Sequence, residues 1–189
     1  MRVVTILGSP KINGNTAKVL GLFEDLISPE HQVDRVNIAT SHLNGCLGCR
    51  VCQNTPNEPG CVQKDDAVPI FKRMMNADAV LLATPLYCWC FPSQVKALID
   101  RMFCLATGYG TADYQSLLKG KRVALLVTCG GPVEENADLI KVVFSRVSNY
   151  VQCKVIGHYV VPFCTVPHAI GSEAAAIVKK MARDIVGVH

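Results

Sequence analysis

The sequence predicts an α/β fold built on a five-stranded parallel sheet, because apolar strand-like runs alternate with segments of helical period along the chain. Four of the five runs are apolar throughout, as expected of strands covered on both faces. The second, Val33-Asp-Arg-Val-Asn-Ile38, interleaves polar residues and reads as an edge strand. A second strand at the edge fits the doubly wound order 2-1-3-4-5 of a three-layer sandwich, which puts a ligand crevice beyond the carboxyl ends of strands one, three and four.

Strand one, residues 3–7, empties into Gly8-Ser-Pro-Lys-Ile-Asn-Gly-Asn-Thr16, and a helix is expected over 15–27 with Asn15 as its N-cap. Strand two covers 33–38. After a cysteine-rich loop at 43–64, helix two is expected over 65–76 and strand three over 79–83. Helix three follows at 92–104, strand four at 123–127, helix four at 134–150, strand five at 155–161 and helix five at 170–186. No repeat, low-complexity tract or linker divides the chain, so one domain over 1–189 is expected. The three crevice loops are then Gly8 to Thr16, Thr84 to Phe91 and Thr128 to Gly131.

Composition narrows the class of function. Half of the 189 residues are hydrophobic and 18% are charged, which excludes disorder. The formal charge is +4, with basic residues spread along the chain, which argues against nucleic acid as a partner. The longest apolar stretch, 77–92, is broken by Asp78, Thr84 and Pro85, so no membrane span is expected. Met1-Arg2 leads straight into strand one without a signal-peptide core, and a cytoplasmic protein is expected. In that compartment the ten cysteines read as reduced thiols, metal ligands or packing residues.

The first loop has the chemistry of an anion site. Gly8 and Gly14 permit tight turns, Ser9 and Thr16 supply hydroxyls, Lys11 supplies charge, and a helix start supplies free amides. It is not a P-loop, because five residues separate its glycines and Asn15 stands where that motif needs lysine. Nor is it a dinucleotide fingerprint, since Pro10 replaces the second glycine and strand two lacks a terminal acid. A mononucleotide fits better.

Cys46, Cys49 and Cys52 recur every three residues, and Cys61 follows an eight-residue gap. Four thiolates over this span suffice for one cubane iron–sulfur cluster, with Gly45, Gly48 and Gly60 giving the backbone freedom to wrap it. Structural zinc is the alternative metal, and a thiol pair cycling through a disulfide is the metal-free one. Cys88 and Cys90 flank Trp89 too closely for a mutual disulfide. Cys104, Cys129, Cys153 and Cys164 read as isolated apolar residues, with Cys129 in a crevice loop. The five histidines, His168 in a loop near the crevice and His189 at the terminus included, show no spacing typical of metal sites or triads.

Together with the first loop, Thr84-Pro-Leu-Tyr-Cys-Trp89 and Pro92-Ser-Gln-Val-Lys-Ala-Leu-Ile-Asp-Arg101 resemble the flavodoxin-like NAD(P)H-dependent FMN reductases. The resemblance implies FMN, its phosphate held at Ser9, Lys11, Asn13, Gly14, Asn15 and Thr16. Thr84, Pro85, Leu86, Tyr87, Cys88 and Trp89 would border the ring and ribityl chain, and Thr128, Cys129, Gly130 and Gly131 would close the far side. It also implies a homodimer or homotetramer, with the helix bearing Lys96, Asp100 and Arg101 at an interface and no chemical role for those three. The cysteine run resembles the iron–sulfur flavoprotein branch of that fold, with a final gap somewhat longer than expected there. The implied activity draws electrons from NAD(P)H into FMN and passes them to a small-molecule or protein acceptor, through a [4Fe–4S] cluster if one is bound. The rival readings are a flavodoxin-type carrier, against which the positive charge argues, and a metal or thiol switch without turnover.

Overall fold

A computed structural model describes residues 1–165 and 170–187, which leaves His168 and His189 outside the described residues. The main strands are β1 (Arg2–Leu7), β2 (Gln32–Asn37), β3 (Ala79–Pro85), β6 (Arg122–Thr128) and β7 (Lys154–Val161). They pair in parallel in the order β2-β1-β3-β6-β7, the predicted 2-1-3-4-5 order of a flavodoxin-like sheet. Two-residue strands β4 (Ala106–Thr107) and β5 (Gln115–Ser116) form a separate antiparallel ribbon that the sequence pattern did not announce.

Side chains alternate across a strand, and the continuous apolar runs supply both faces at once. Val3 and Leu7 of β1, Leu81 of β3 and Leu126 of β6 pack against α1 (Asn15–Ile27) and α5 (Ser172–Val186). Val4 and Ile6, Val80 and Leu82, and Val123, Leu125 and Val127 face the other way, onto α2 (Ala67–Met75), α3 (Ser93–Arg101) and α4 (Asp138–Tyr150). Each such buried Val, Leu or Ile contributes roughly 1.5–3 kcal/mol. The polar residues of edge strand β2 are used in ion pairs instead. Asp34 takes both Arg73 of α2 and Arg2 of β1, and Arg35 takes Glu24 of α1.

Helix α1 keeps its expected bounds but not its expected cap, the boundaries of α2, α3 and α4 shift for local reasons, and α5 begins at Ser172 rather than at 170. Gly14, not Asn15, is the N-cap of α1: its backbone is extended, its carbonyl accepts from Lys18 N–H at 3.0 Å, and Asn15 is the first helical residue. Helix α2 begins at Ala67 because Asp65 turns its carboxylate to the Ala67 amide. Helix α3 stops at Arg101 and tightens into a 3-10 turn over Met102–Leu105. Helix α4 starts at Asp138, after a turn in which Glu135 has φ 54° and Ala137 N–H bonds to Val133 O.

At the end of β1 the backbone comes so close to α3 that only glycine fits. A Cβ on Gly8 would stand 2.4 Å from Val95 Cγ2 and 3.2 Å from Ala83 O, while Gly8 N–H donates to that same carbonyl at 2.7 Å. Gly8→Ala is therefore expected to cost about 1–3 kcal/mol in urea unfolding, as overpacking does. Adding Val95→Ala, which removes the obstructing methyl, should recover part of that loss beyond the sum of the single changes, and strict additivity would contradict the geometry.

Candidate functional site: two cavities joined by one helix

The carboxyl ends of β1, β3 and β6 open into one crevice of about 230 Å³. Its walls include Ser9, Lys11, Gly14, Asn15 and Thr16 from the first loop, Pro85, Leu86 and Tyr87 from the second, and Thr128, Cys129 and Gly130 from the third. Cys164 and Thr165, beyond β7, complete it. Backbone bonds hold the loops together: Leu86 N–H donates to Thr128 O at 2.9 Å, Cys129 N–H to Val161 O at 3.1 Å and Cys164 N–H to Cys129 O at 2.7 Å. Asn15 Nδ2 reaches Cys164 O at 2.9 Å, tying the start of α1 to the far wall.

The polar groups of the crevice divide into those that shape it and those with capacity to spare. Ser9 Oγ accepts from Lys11 N–H at 3.1 Å and donates to Lys11 O at 3.2 Å, so it closes the turn on itself. The buried hydroxyls of Thr16 and Thr128 lie 2.6 Å apart. Two hydroxyls that share one hydrogen bond retain a second hydrogen to offer, here at the floor of the crevice and beside the first-turn amides of α1. Among the described residues no salt bridge joins Lys11 to a carboxylate. Hydroxyls, amides and an unneutralised ammonium fit a phosphate monoester.

Other residues expected at this site stand outside its walls. Thr84 is fully buried beneath the second loop and donates to Pro85 O, and Asn13 and Gly131 lie off the lining. Cys88 and Trp89 form the tip of a two-residue hairpin closed by Tyr87 N–H to Cys90 O (3.0 Å) and Cys90 N–H to Tyr87 O (2.9 Å). Their φ values of 47° and 60° give the turn its mirror-image hand. The turn carries Trp89 outward, 58% exposed, while Tyr87 remains on the crevice wall.

A second cavity, about 250 Å³, lies at the other end of α3. Cys46, Cys49, Cys52 and Cys61 all line it, together with Gln63, Arg101, Phe103 and Cys104. The loop that bears the four cysteines is closed at its base by His42 and Asp66, whose backbone groups and the Asp66 carboxylate bond at 2.7 and 3.0 Å. Gln53 pins its middle by donating to Phe103 O at 3.1 Å and Ala106 O at 3.0 Å. Three of the four sulfurs accept N–H hydrogen bonds, Cys46 from Gly48 (3.4 Å), Cys52 from Gln53 Nε2 (3.9 Å) and Cys61 from Arg101 Nη2 (3.2 Å). Burial pushes the Cys52 thiol up, the neighbouring sulfurs of Cys61, Cys49 and Cys46 adding to it against the Gln53 bond. Burial likewise pushes Cys104 up to about 12, with Cys61 and Cys52 as its electrostatic neighbours.

Among the described residues no three His, Cys, Asp or Glu side chains are gathered tightly enough to hold a metal ion. A single zinc with bonds of about 2.3 Å would bring its sulfurs within about 4 Å of one another. A cubane instead takes thiolates at its separate corners, and a ring of four thiols around a cavity, three of them already accepting N–H donors, fits that donor set.

Arg101 corrects the sequence reading most sharply. It was expected at a surface or subunit contact beside Lys96 and Asp100, and those two do pair in the open at 2.6 Å. Arg101 instead is buried, its guanidinium bonded to Asp65. Its position three and six residues after Leu98 and Val95, the other buried residues of α3, was the available signal. Cys104 on the wall of this cavity was also missed, as were Gln53 and Asp65, which brace its loop and Arg101, and Cys164 and Thr165 at the crevice.

Comparison with known proteins agrees with this geometry. Residues 1–165 match the family model for NADPH-dependent FMN reductases. An iron–sulfur flavoprotein of Archaeoglobus fulgidus is 33% identical over 176 residues, 92% of this chain and 73% of that one. An iron–sulfur flavoprotein of Methanosarcina thermophila is 31% identical over 106 residues, 56% of this chain and 54% of its own length. The solved NAD(P)H:quinone oxidoreductase of Methanothermobacter marburgensis superposes with a TM-score of 0.72 at 17% identity, covering 97% of this chain and 96% of that one, which shows a shared fold. No helix among the described residues is long and apolar enough to cross a membrane. The chain thus belongs to the NADPH-dependent FMN reductase family of nicotinamide-dependent flavin oxidoreductases, with iron–sulfur flavoproteins among its relatives.

Proposed function

We propose that this protein takes electrons from NAD(P)H into FMN bound in the crevice and passes them to an acceptor through a [4Fe–4S] cluster held by Cys46, Cys49, Cys52 and Cys61. The observation that carries the reading is the placement of four cysteines around one cavity at the C-terminal end of α3, whose N-terminal end follows directly on the crevice loop. FMN, when bound, supplies the ability to accept electrons in pairs and release them singly. The chain's own residues do the rest. Thr16, Lys11 and the first amides of α1 would hold the phosphate, while Pro85, Leu86 and Tyr87 on one side and Thr128, Cys129 and Gly130 on the other would form the walls against the ring. The cysteine cavity is lined mostly by apolar surface, whereas the crevice presents polar and apolar groups in about equal measure.

The phosphate assignment is tested by Thr16→Val and Lys11→Ala. Each should weaken FMN binding by about 1.5–3 kcal/mol, roughly 10- to 150-fold in Kd by calorimetry, as expected for a hydrogen bond to a charged group. Thr16→Ser, which keeps the hydroxyl, should stay near the parent. Parent-like affinity in both Thr16→Val and Lys11→Ala would place the phosphate elsewhere.

Under anaerobic conditions NADH or NADPH is expected to bleach the flavin absorbance, and an added quinone or ferric acceptor to restore it. Bleaching by a chemical reductant but by neither nucleotide would move the assignment to an electron carrier. For the cysteine cavity, protein reconstituted without oxygen should hold about four iron and four sulfide per chain, falling sharply in Cys49→Ala. One zinc per chain, or no metal, would refute the cluster and leave the flavin assignment intact.

A further inference from the structure

Arg101 and Asp65 form an ion pair in which each side chain is only 1% exposed. The carboxylate is saturated: one oxygen accepts from the Asn44 amide at 3.0 Å as well as from Arg101, the other from the Ala67 amide at 3.2 Å. Burial alone would raise the Asp65 carboxyl above its usual range, and the Asn44 amide, Arg101 and the Ala67 amide together hold it below. Such a pair gives little net stability by itself, because desolvating two charges offsets most of their attraction. What it does give is a rigid, planar guanidinium whose first arm, held by Asp65, sets the direction of the second. That second arm, Nη2, donates to Cys61 Sγ at 3.2 Å, and Arg101 Nε is buried with no partner among the described residues.

We propose that Arg101, locked by Asp65, is the positioning residue of the cysteine site: its hydrogen bond holds the Cys61 sulfur in place at the cavity and raises the reduction potential of the cluster bound there. This rests on the cluster assignment above. One electron added to an iron–sulfur cluster adds one negative charge, which spreads onto its thiolate ligands. A donor fixed to a ligand sulfur stabilises the reduced form more than the oxidised one, so the potential rises. Asp65 cancels the charge of Arg101 at longer range, which leaves the directed hydrogen bond as the operative element. Lysine can satisfy Asp65 but lacks the planar fork that reaches a second acceptor at a fixed angle. The geometry also explains why Cys61, which ends the longest gap of the motif, needs an external guide: the guide sits on a helix, while the sulfur sits on a loop.

The test uses the full chain, reconstituted anaerobically with iron and sulfide and carrying FMN. Arg101→Lys keeps the ion pair. The double change Arg101→Gln with Asp65→Asn removes both charges, so that neither is left buried alone. FMN content should match the parent in both, since the flavin lies at the far end of α3. In both, the midpoint potential in a dithionite titration followed by electron paramagnetic resonance should shift to more negative values. Iron should be retained against a chelator roughly 10- to 100-fold less well, as is usual when a group supporting a metal ligand is lost. Parent-like potentials and iron retention in both variants would overturn the role of Arg101 while leaving the cluster in place. A parent protein that takes up no iron and sulfide would overturn the cluster and this role with it.

Discussion

A parallel strand cannot turn back on its neighbour, and the crossovers this requires set the layout of the whole molecule. Each main strand must be followed by a segment that returns to the opposite edge, so every carboxyl end points the same way. Because β1 lies between β2 and β3, the chain leaves β1 in one direction and reaches β3 in the other, and a gap opens between the two departing loops. The first loop, the second loop and the turn after β6 meet at that gap. Their polar residues are distributed accordingly: Thr84 and Ser9 are consumed in shaping the loops, while Thr16, Thr128 and Lys11 line the gap.

The cysteine cavity obeys a different rule. It lies in the long connection between β2 and α2, which has no sheet partner and only one short 3-10 turn, Val51–Asn54, over its cysteine-bearing part. Order there is imposed from outside. Asp65 and Asp66 close the loop on α2, Gln53 fastens it to the chain beyond α3, and Arg101 projects into it from α3 itself. Loops carry functional groups well when a rigid frame fixes them, and here the frame reaches the loop through polar side chains as well as through the packing of Leu43, Cys52 and Cys61 on the apolar core.

Most of the architecture was legible in the sequence because it depends on pattern over several residues. The apolar runs located the main strands to within two residues, and the polar interruptions at Asp34 and Arg35 marked β2 as an edge. Where a single residue decides the outcome, the pattern was silent. Gly14 took the cap from Asn15 because the turn needs its extended backbone, and the β4–β5 ribbon is too short to show any alternation. At the crevice, the glycines and hydroxyls at strand ends pointed to loops that the structure gathers around one cavity, yet the exposed position of Trp89 follows from two left-handed residues that no motif encodes. Arg101 was hidden by its company: beside Lys96 and Asp100 it looks like one more surface charge, and its partner Asp65 lies thirty-six residues away in the chain.

Helix α3 is nine residues long, an axial rise of about 13 Å, and the two cavities lie at its ends. Their spacing is thus set by a rigid rod and not by either loop. The cysteine loop can lengthen or shorten, as in the eight residues that precede Cys61, without moving one cavity relative to the other, provided that its attachments to Arg101 and the turn beyond it persist. In this respect α3 is a ruler. It separates the part of the chain that must be kept in register from the part that is free to drift in length.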